Sequence, residues 1–204
     1  MALSWSEIQP VGDVNANWYL CDVNNDTSKM IAACSPGRAY LYSGGSWSEQ
    51  KLEGDIDKNW CSSKISREGT RIMLVASPGR IWLNSDGSWA EERPIGNSDR
   101  YWTTSSMSSN GETMLAGYNL GRLWRYHKGS WSEIQPAGDS SYWWRASAVS
   151  SDGSKMLAGV YGGRLYMYSG GSWSEAQPAG NADKNWRCCK MSSDGSKMLA
   201  GVYG

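Results

Sequence analysis

The sequence predicts an all-β fold assembled from repeated four-stranded antiparallel units, and three observations carry that expectation. Trp5, Trp47, Trp89, Trp131 and Trp173 each follow a serine and stand 42 residues apart, and Trp18, Trp60, Trp102, Trp144 and Trp186 repeat the interval. Between the two series every copy carries a glutamate (Glu7, Glu49, Glu91, Glu133, Glu175) and then a glycine (Gly12, Gly54, Gly96, Gly138, Gly180), with no insertion breaking the period. After the second tryptophan come small and apolar residues, a turn such as SSDGSK at residues 150–155, then MLAGVY, GGR and LYMYS, so that short strands alternate with turn residues. Periods of about 40–45 residues with four strands each mark propeller blades, whereas helical repeats of that length need a 3.6-residue apolar period that is absent here. The expected fold is a five-bladed β-propeller of four-stranded antiparallel blades, with one blade lacking a strand or completed by another chain. It forms one domain over residues 1–204, with repeats at about 5–46, 47–88, 89–130, 131–172 and 173–204.

Each strand has its own reason. The segment that opens on the second tryptophan, WRASAV in the fourth copy, and the KMLAGVY segment after it are rich in Ala, Ser and Gly. Small residues suit the crowded inner and second strands around a propeller axis. The third strand, RLYMY, alternates with period two, Leu165 and Met167 on one face and Tyr166 and Tyr168 on the other. The bulky SWSEIQP segment then forms the outer strand. In the SSDG and GGSW turns, aspartate bonds local amides and glycine supplies positive φ, which is a structural role.

One feature breaks the count. Gly-Arg occurs at Arg38, Arg80, Arg122 and Arg164, and the sequence reaches Gly204 before a fifth copy, while it begins on an outer strand. Five outer, inner and second strands therefore share four third strands. A truncated frame, a piece of a longer array, an engineered repeat, or an oligomer that satisfies the exposed edge all fit this count. Repeats four and five are nearly identical, while the first has diverged to DTSKMIAACSPG, as recent duplication or design would leave them.

Composition excludes several functions. Twenty basic and twenty acidic residues give zero formal net charge, so neither a nucleic-acid footprint nor an electrostatic hold on an acidic membrane is expected. No long apolar run suggests a membrane span, and the start Met-Ala-Leu-Ser-Trp lacks the basic region and apolar core of a signal peptide. Cys21, Cys34, Cys61, Cys188 and Cys189 do not recur between repeats and show no paired C-x-x-C spacing, so they read as reduced, mostly buried small residues. Gly-Asp-Ile-Asp at residues 54–57 hints at calcium, but the other copies lose an acid there, and no metal or cofactor is expected. His127 is the only histidine, has no nucleophile and orienting acid to work with, and reads as a solvated variation.

The combination GGRLYMYS-GGSW with SSDGSKMLAG resembles propellers of the Asp-box group, in which a Ser-x-Asp-x-Gly-x-Thr-Trp turn joins the third and fourth strands. NSDGSW at residues 84–89 is the nearest match, and other copies read YSGGSW without the aspartate. The group includes sialidases and photosystem II assembly-factor propellers. The resemblance covers the whole chain and implies an architecture more than an activity. Sialidases of that group place their catalytic residues at unique positions, and this repeating chain offers no such constellation, so no enzyme is expected.

Any ligand site is expected on the face that collects the loops from outer to inner strand and from second to third strand. That face gathers Asp13, Asp55, Asn97, Asp139 and Asn181 near Arg38, Arg80, Arg122 and Arg164, together with Tyr161 and the tryptophans Trp18, Trp60, Trp102, Trp144 and Trp186. Carboxylates or amides, a guanidinium and an aromatic ring suit a sugar, whose hydroxyls need donors and acceptors and whose C–H face stacks on a ring. The bland alternative is that the tryptophans plug seams between blades and the arginines hold adjacent loops. The expected function is a non-enzymatic binding module, lectin-like for carbohydrate. The alternatives are a protein-interaction scaffold or an engineered repeat with no evolved function, as a monomer or an oligomer joined through the incomplete blade.

Overall fold

The computed structural model describes residues 6–12, 15–54, 56–178 and 180–204, and in them regular structure is entirely β. The first blade runs β1 (Trp18–Val23), β2 (Lys29–Cys34), β3 (Ala39–Ser43) and β4 (Ser46–Glu49), paired in that order. The second is β5 (Trp60–Ile65), β6 (Arg71–Ala76), β7 (Ile81–Ser85) and β8 (Ser88–Glu92). The third is β9 (Trp102–Met107), β10 (Thr113–Tyr118), β11 (Leu123–His127) and β12 (Ser130–Ile134). The fourth is β13 (Trp144–Val149), β14 (Met156–Gly163), β15 (Leu165–Ser169) and β16 (Ser172–Ala176). Two strands, β17 (Lys184–Met191) and β18 (Met198–Val202), pair antiparallel as the inner half of a fifth. The inner strands β1, β5, β9, β13 and β17 pack successively against one another, which is the arrangement of blades around a propeller axis.

The apolar alternation explains why blades must stack. In β6, Ile72, Leu74 and Ala76 join a buried cluster with Ile31, Ala33, Ala39 and Trp60, while Met73 and Val75, on the other face, join Trp102, Met114 and Ala116. Leu123, Trp144, Ala158 and Val160 form the next seam, and Ala146, Ala148, Leu157, Leu165 and Trp186 the last. Each core cluster thus straddles two consecutive blades, and a tryptophan from the head of an inner strand stands in each. Trp60, Trp102, Trp144 and Trp186 are 2–4% exposed. The indole N–H of Trp60 donates to Gly37 O and that of Trp102 to Gly79 O, both at 3.1 Å. The outer-strand tryptophans pack edge-on or tilted against tyrosines across the hairpin, with ring centroids of Tyr126 and Trp131 5.4 Å apart and those of Tyr168 and Trp173 5.5 Å apart.

Backbone bonds tie each blade to the next at both ends. On one face the Asn25 amide donates to Arg67 O (3.0 Å), Arg67 to Ser109 O (2.7 Å), Ser109 to Ser151 O (2.9 Å) and Ser151 to Ser193 O (2.8 Å). On the other face, antiparallel bridges join Gly37 to Lys58, Gly79 to Arg100 and Gly121 to Tyr142, and β14 pairs β17 at Gly163 and Lys184. The turns between inner and second strands are built for this contact. Asp152 accepts from the Ser150 hydroxyl at 2.7 Å and from the Ser154 amide at 2.9 Å. Gly153, at φ +73°, lies so close to the preceding blade that a Cβ would fall 2.5 Å from Thr113 Oγ1, so only glycine fits.

Among the described residues the structure therefore holds four complete blades and the two inner strands of a fifth. Residues 6–9 carry no strand, and Trp5 lies outside the described residues. Among the described residues the amide of Ser193 finds no carbonyl in the first blade. Trp18, the counterpart of the seam tryptophans, is 41% exposed, and Val23, Leu199 and Val202 are exposed as well. The seam between the fifth and first blades is open, because a tryptophan at the head of an inner strand is buried by the blade before it. No helix among the described residues is long and apolar enough to cross a membrane.

Two outcomes follow. Trp144→Ala, which empties a closed seam, is expected to cost about 3–5 kcal/mol in denaturant unfolding, and Trp18→Ala, in the open one, less than about 1.5 kcal/mol. The hydroxyl and amide bonds to Asp152 hold its carboxyl at about 2, and those to Asp194 hold its carboxyl lower still. Because the folded value is depressed, this support is complete above the ordinary carboxyl value of about 4 and is lost as pH falls toward 2. Thermal melts should show Tm falling over that window, with a shallower fall in Asp152→Ala/Asp194→Ala.

Candidate functional site

The repeated polar residues of the loop face are engaged in scaffolding. Arg80 Nε lies 2.6 Å from Asp99 and its Nη1 3.5 Å from Glu91, so it clamps the outer strand of its blade to the loop that follows. Arg38 pairs with Asp57 (2.9 Å) and Glu49 (3.8 Å), and Arg164 with Asp183 (2.8 Å) and Glu175 (3.7 Å). Arg122 pairs with Glu133 (3.5 Å) and with Asp139 (2.7 Å), which serves where Ser141 stands in the partner position. Trp60, Trp102, Trp144 and Trp186 are 2–4% exposed in the seams, Trp60 and Trp102 also contributing to the lining of a cavity on the axis, and Trp18 is more open at 41%. Asn97 and Asn181 are exposed, with the Asn97 carbonyl accepting from Arg80 at 3.0 Å. Asp13 and Asp55 lie outside the described residues. The structure thus joins the arginines to loop acids, away from the axial cavity that Trp60 and Trp102 help to line.

What it does bring together lies on the axis of that same face. A cavity of about 480 Å³ is lined by Tyr19, Cys61, Thr103, Arg145 and Arg187, one residue from each inner strand, 42 residues apart. Above this ring stand Asn59, Tyr101, Trp143 and Asn119. Tyr19 and Tyr101 are 67% and 62% exposed, and Trp143 packs against Tyr161 with ring centroids 4.8 Å apart. Asn119 Oδ1 and Trp143 Nε1 are both buried at this wall without a hydrogen-bond partner among the described residues, one an acceptor and the other a donor. Sequence reasoning missed this set because it looked for function in what repeats. The available signal was the opposite: the inner-strand positions after the recurring tryptophan, Tyr19, Cys61, Thr103, Arg145 and Arg187 among them, change residue type from copy to copy, while the tryptophans, glutamates and glycines recur.

Beneath the mouth, the inner strands are held by hydroxyl contacts, Ser62 to Ser105 at 2.6 Å and Thr104 to Ser147 at 2.8 Å. Burial pushes the Cys61 thiol up to about 12, which makes it a poor nucleophile, and does the same to Cys189. The five cysteines are unpaired, and the expectation that they are mostly buried is corrected for Cys21 and Cys188, which are exposed on inner strands. His127 Nδ1 lies 3.2 Å from Thr113 Oγ1 on an exposed edge. No group of three or more metal-ligating side chains is present among the described residues.

No family model matches the chain, and no curated protein does. Among solved structures, the Myceliophteria thermophila Cps50 (Swd1) β-propeller domain superposes with a TM-score of 0.65 at 14% identity, over 93% of this chain and 64% of that one. An ancestral GH74 enzyme superposes with a TM-score of 0.68 at 17% identity, over 91% of this chain and 29% of that one. At these identities the likeness shows the β-propeller fold alone, and this chain spans less than two thirds of either protein.

The clamp and the axis are separable by substitution. Arg164→Met breaks two partly exposed ion pairs and is expected to change unfolding free energy by no more than about 1 kcal/mol. Denaturant titration of this variant beside Trp144→Ala makes the comparison.

Proposed function

We propose that this chain is a non-enzymatic binding module that takes its ligand at the axial mouth of the loop face, and that the ligand is a carbohydrate. The observation that carries this reading is the pair of unsatisfied polar atoms, Asn119 Oδ1 and Trp143 Nε1, in the wall of a cavity rimmed by exposed tyrosine rings. A sugar hydroxyl can donate and accept, so it suits an amide oxygen and an indole N–H that lack partners, while a pyranose C–H face stacks on Tyr19 or Tyr101. The volume is that of a small-molecule site. Seam burial and ion pairing leave the tryptophans and arginines of the repeat to hold the rim in place.

A second reading, a protein-interaction scaffold, draws on the exposed side chains of Tyr101 and Leu120 (75% exposed), whose loops are joined by the Asn119 amide on Tyr101 O at 2.8 Å. An exposed apolar pair at a loop rim is the kind of anchor a peptide covers.

A glycan array followed by calorimetric titration distinguishes them. Binding by the parent, weakened at least about tenfold in Trp143→Ala and Asn119→Ala, supports the carbohydrate reading. No binding to any glycan would sink it, and unchanged affinity in both variants would move the site away from the axis.

A further inference from the structure

Charge is balanced over the whole chain but not along its axis. Arg145 and Arg187 line both the mouth and a second chamber of about 320 Å³ that continues beneath it, and so stand at the waist between the two. The lower chamber adds Lys64 and Lys190. Four cations from the second, fourth and fifth blades therefore share one passage, and neither chamber has a carboxylate among its lining residues.

Arg187 and Lys190 are exposed to the passage, while Arg145 and Lys64 are half-buried, and the Lys64 ammonium donates to Ser63 O at 2.5 Å. Among the described residues neither Arg145 nor Arg187 makes an ion pair or a hydrogen bond to protein, although Arg145 lies over the Trp143 ring, 5.3 Å from its centroid. Burial lowers the affinity of Arg145 for its proton, and Arg187 lowers it further. Burial likewise lowers that of Lys64, Lys190 adds to the effect, and Asp22 opposes it. Asp22 is itself committed, accepting from the Ile65 amide at 2.8 Å and the Val23 amide at 3.1 Å. The contrast with the rim is sharp: Arg38, Arg80, Arg122 and Arg164 each have two acidic partners, while the axial arginines have none.

We infer that the axial channel is a binding site for a multivalent oxyanion of the phosphate or sulfate type, held at the waist by Arg145 and Arg187 and from below by Lys64 and Lys190. Guanidinium forks fit tetrahedral oxyanions through paired N–H donors, and lysines serve as mobile point charges around them. Four cations call for more negative charge than one carboxylate carries, which selects a multivalent ion. Partial removal from water strengthens the contacts of Arg145 and Lys64 relative to a surface cluster. The site does not depend on carbohydrate at the mouth, since its residues are distinct from Asn119 and Trp143.

The channel without its ligand holds repelling charges, and this separates a binding role from a structural one. In thermal melts at low ionic strength, inorganic pyrophosphate is expected to raise Tm by roughly 5–10 °C at a hundred times its dissociation constant, with the shift shrinking as sodium chloride screens it. Lys64→Gln/Arg145→Gln should melt at or above the parent without pyrophosphate and lose most of the shift with it. Arg187→Gln, at an exposed position, repeats the measurement should the double variant not fold. Calorimetry with glucose 6-phosphate, inorganic phosphate and glucose identifies the source of the anion: tighter binding of the sugar phosphate than of phosphate points to a group on a larger ligand, and equal binding to a free ion. No Tm shift in the parent, or an equal shift in the variants, overturns the assignment, whatever the glycan array shows.

Discussion

A four-stranded blade of this composition has two apolar faces and no interior of its own, so everything else in the molecule depends on the seam between neighbouring blades. All four buried clusters straddle consecutive blades, and each contains a tryptophan from the head of an inner strand. Burial of such a ring contributes more than any hydrogen bond around it, since large aromatic side chains remove the most apolar surface from water. The glycines of the inner turns and the backbone bonds from Asn25 through Ser193 then set the distance at which blades meet. Where the seam is open among the described residues, as at Trp18, the same residue stands exposed.

This constraint divides the chain's residues by role. Those that recur every 42 positions are spent on seams, turns and loop clamps, which must be the same in every blade for the blades to stack. Positions that face the axis are freer to differ, although Cys61 also packs against the seam of the second and third blades. Tyr19, Cys61, Thr103, Arg145 and Arg187 occupy one such level, and Lys64 and Lys190 belong to another. Because they project from paired inner strands, they are held by rigid elements, which favours a preorganised site over one built on loops. The unsatisfied atoms of Asn119 and Trp143 and the unpaired axial cations both lie where blades converge, not where they repeat.

Much was legible in the sequence. The alternation in LYMYS, the Asp-Gly turns and the paired tryptophan series announce short antiparallel strands in blades, because strand period and turn chemistry act over a few residues. The Arg–Asp clamps were half legible: the residue types were right, but that Arg122 uses Asp139 while Arg80 uses Asp99 depends on loop geometry. The axial site was not legible, since Arg145 and Arg187 look like ordinary variation in a polar strand until the strands are set around an axis.

The sequence by itself determined the repeat, the strands within it and the residues able to fill a seam, all consequences of local propensity and period. Only the tertiary structure decided that a shift of 42 positions becomes a rotation about one axis. That rotation brings side chains far apart in the chain to a single passage, pairs the loop arginines and leaves the axial ones without acids. It also decided that Trp18 stands open while Trp60 is sealed, because burial is a property of the neighbouring blade and not of the residue.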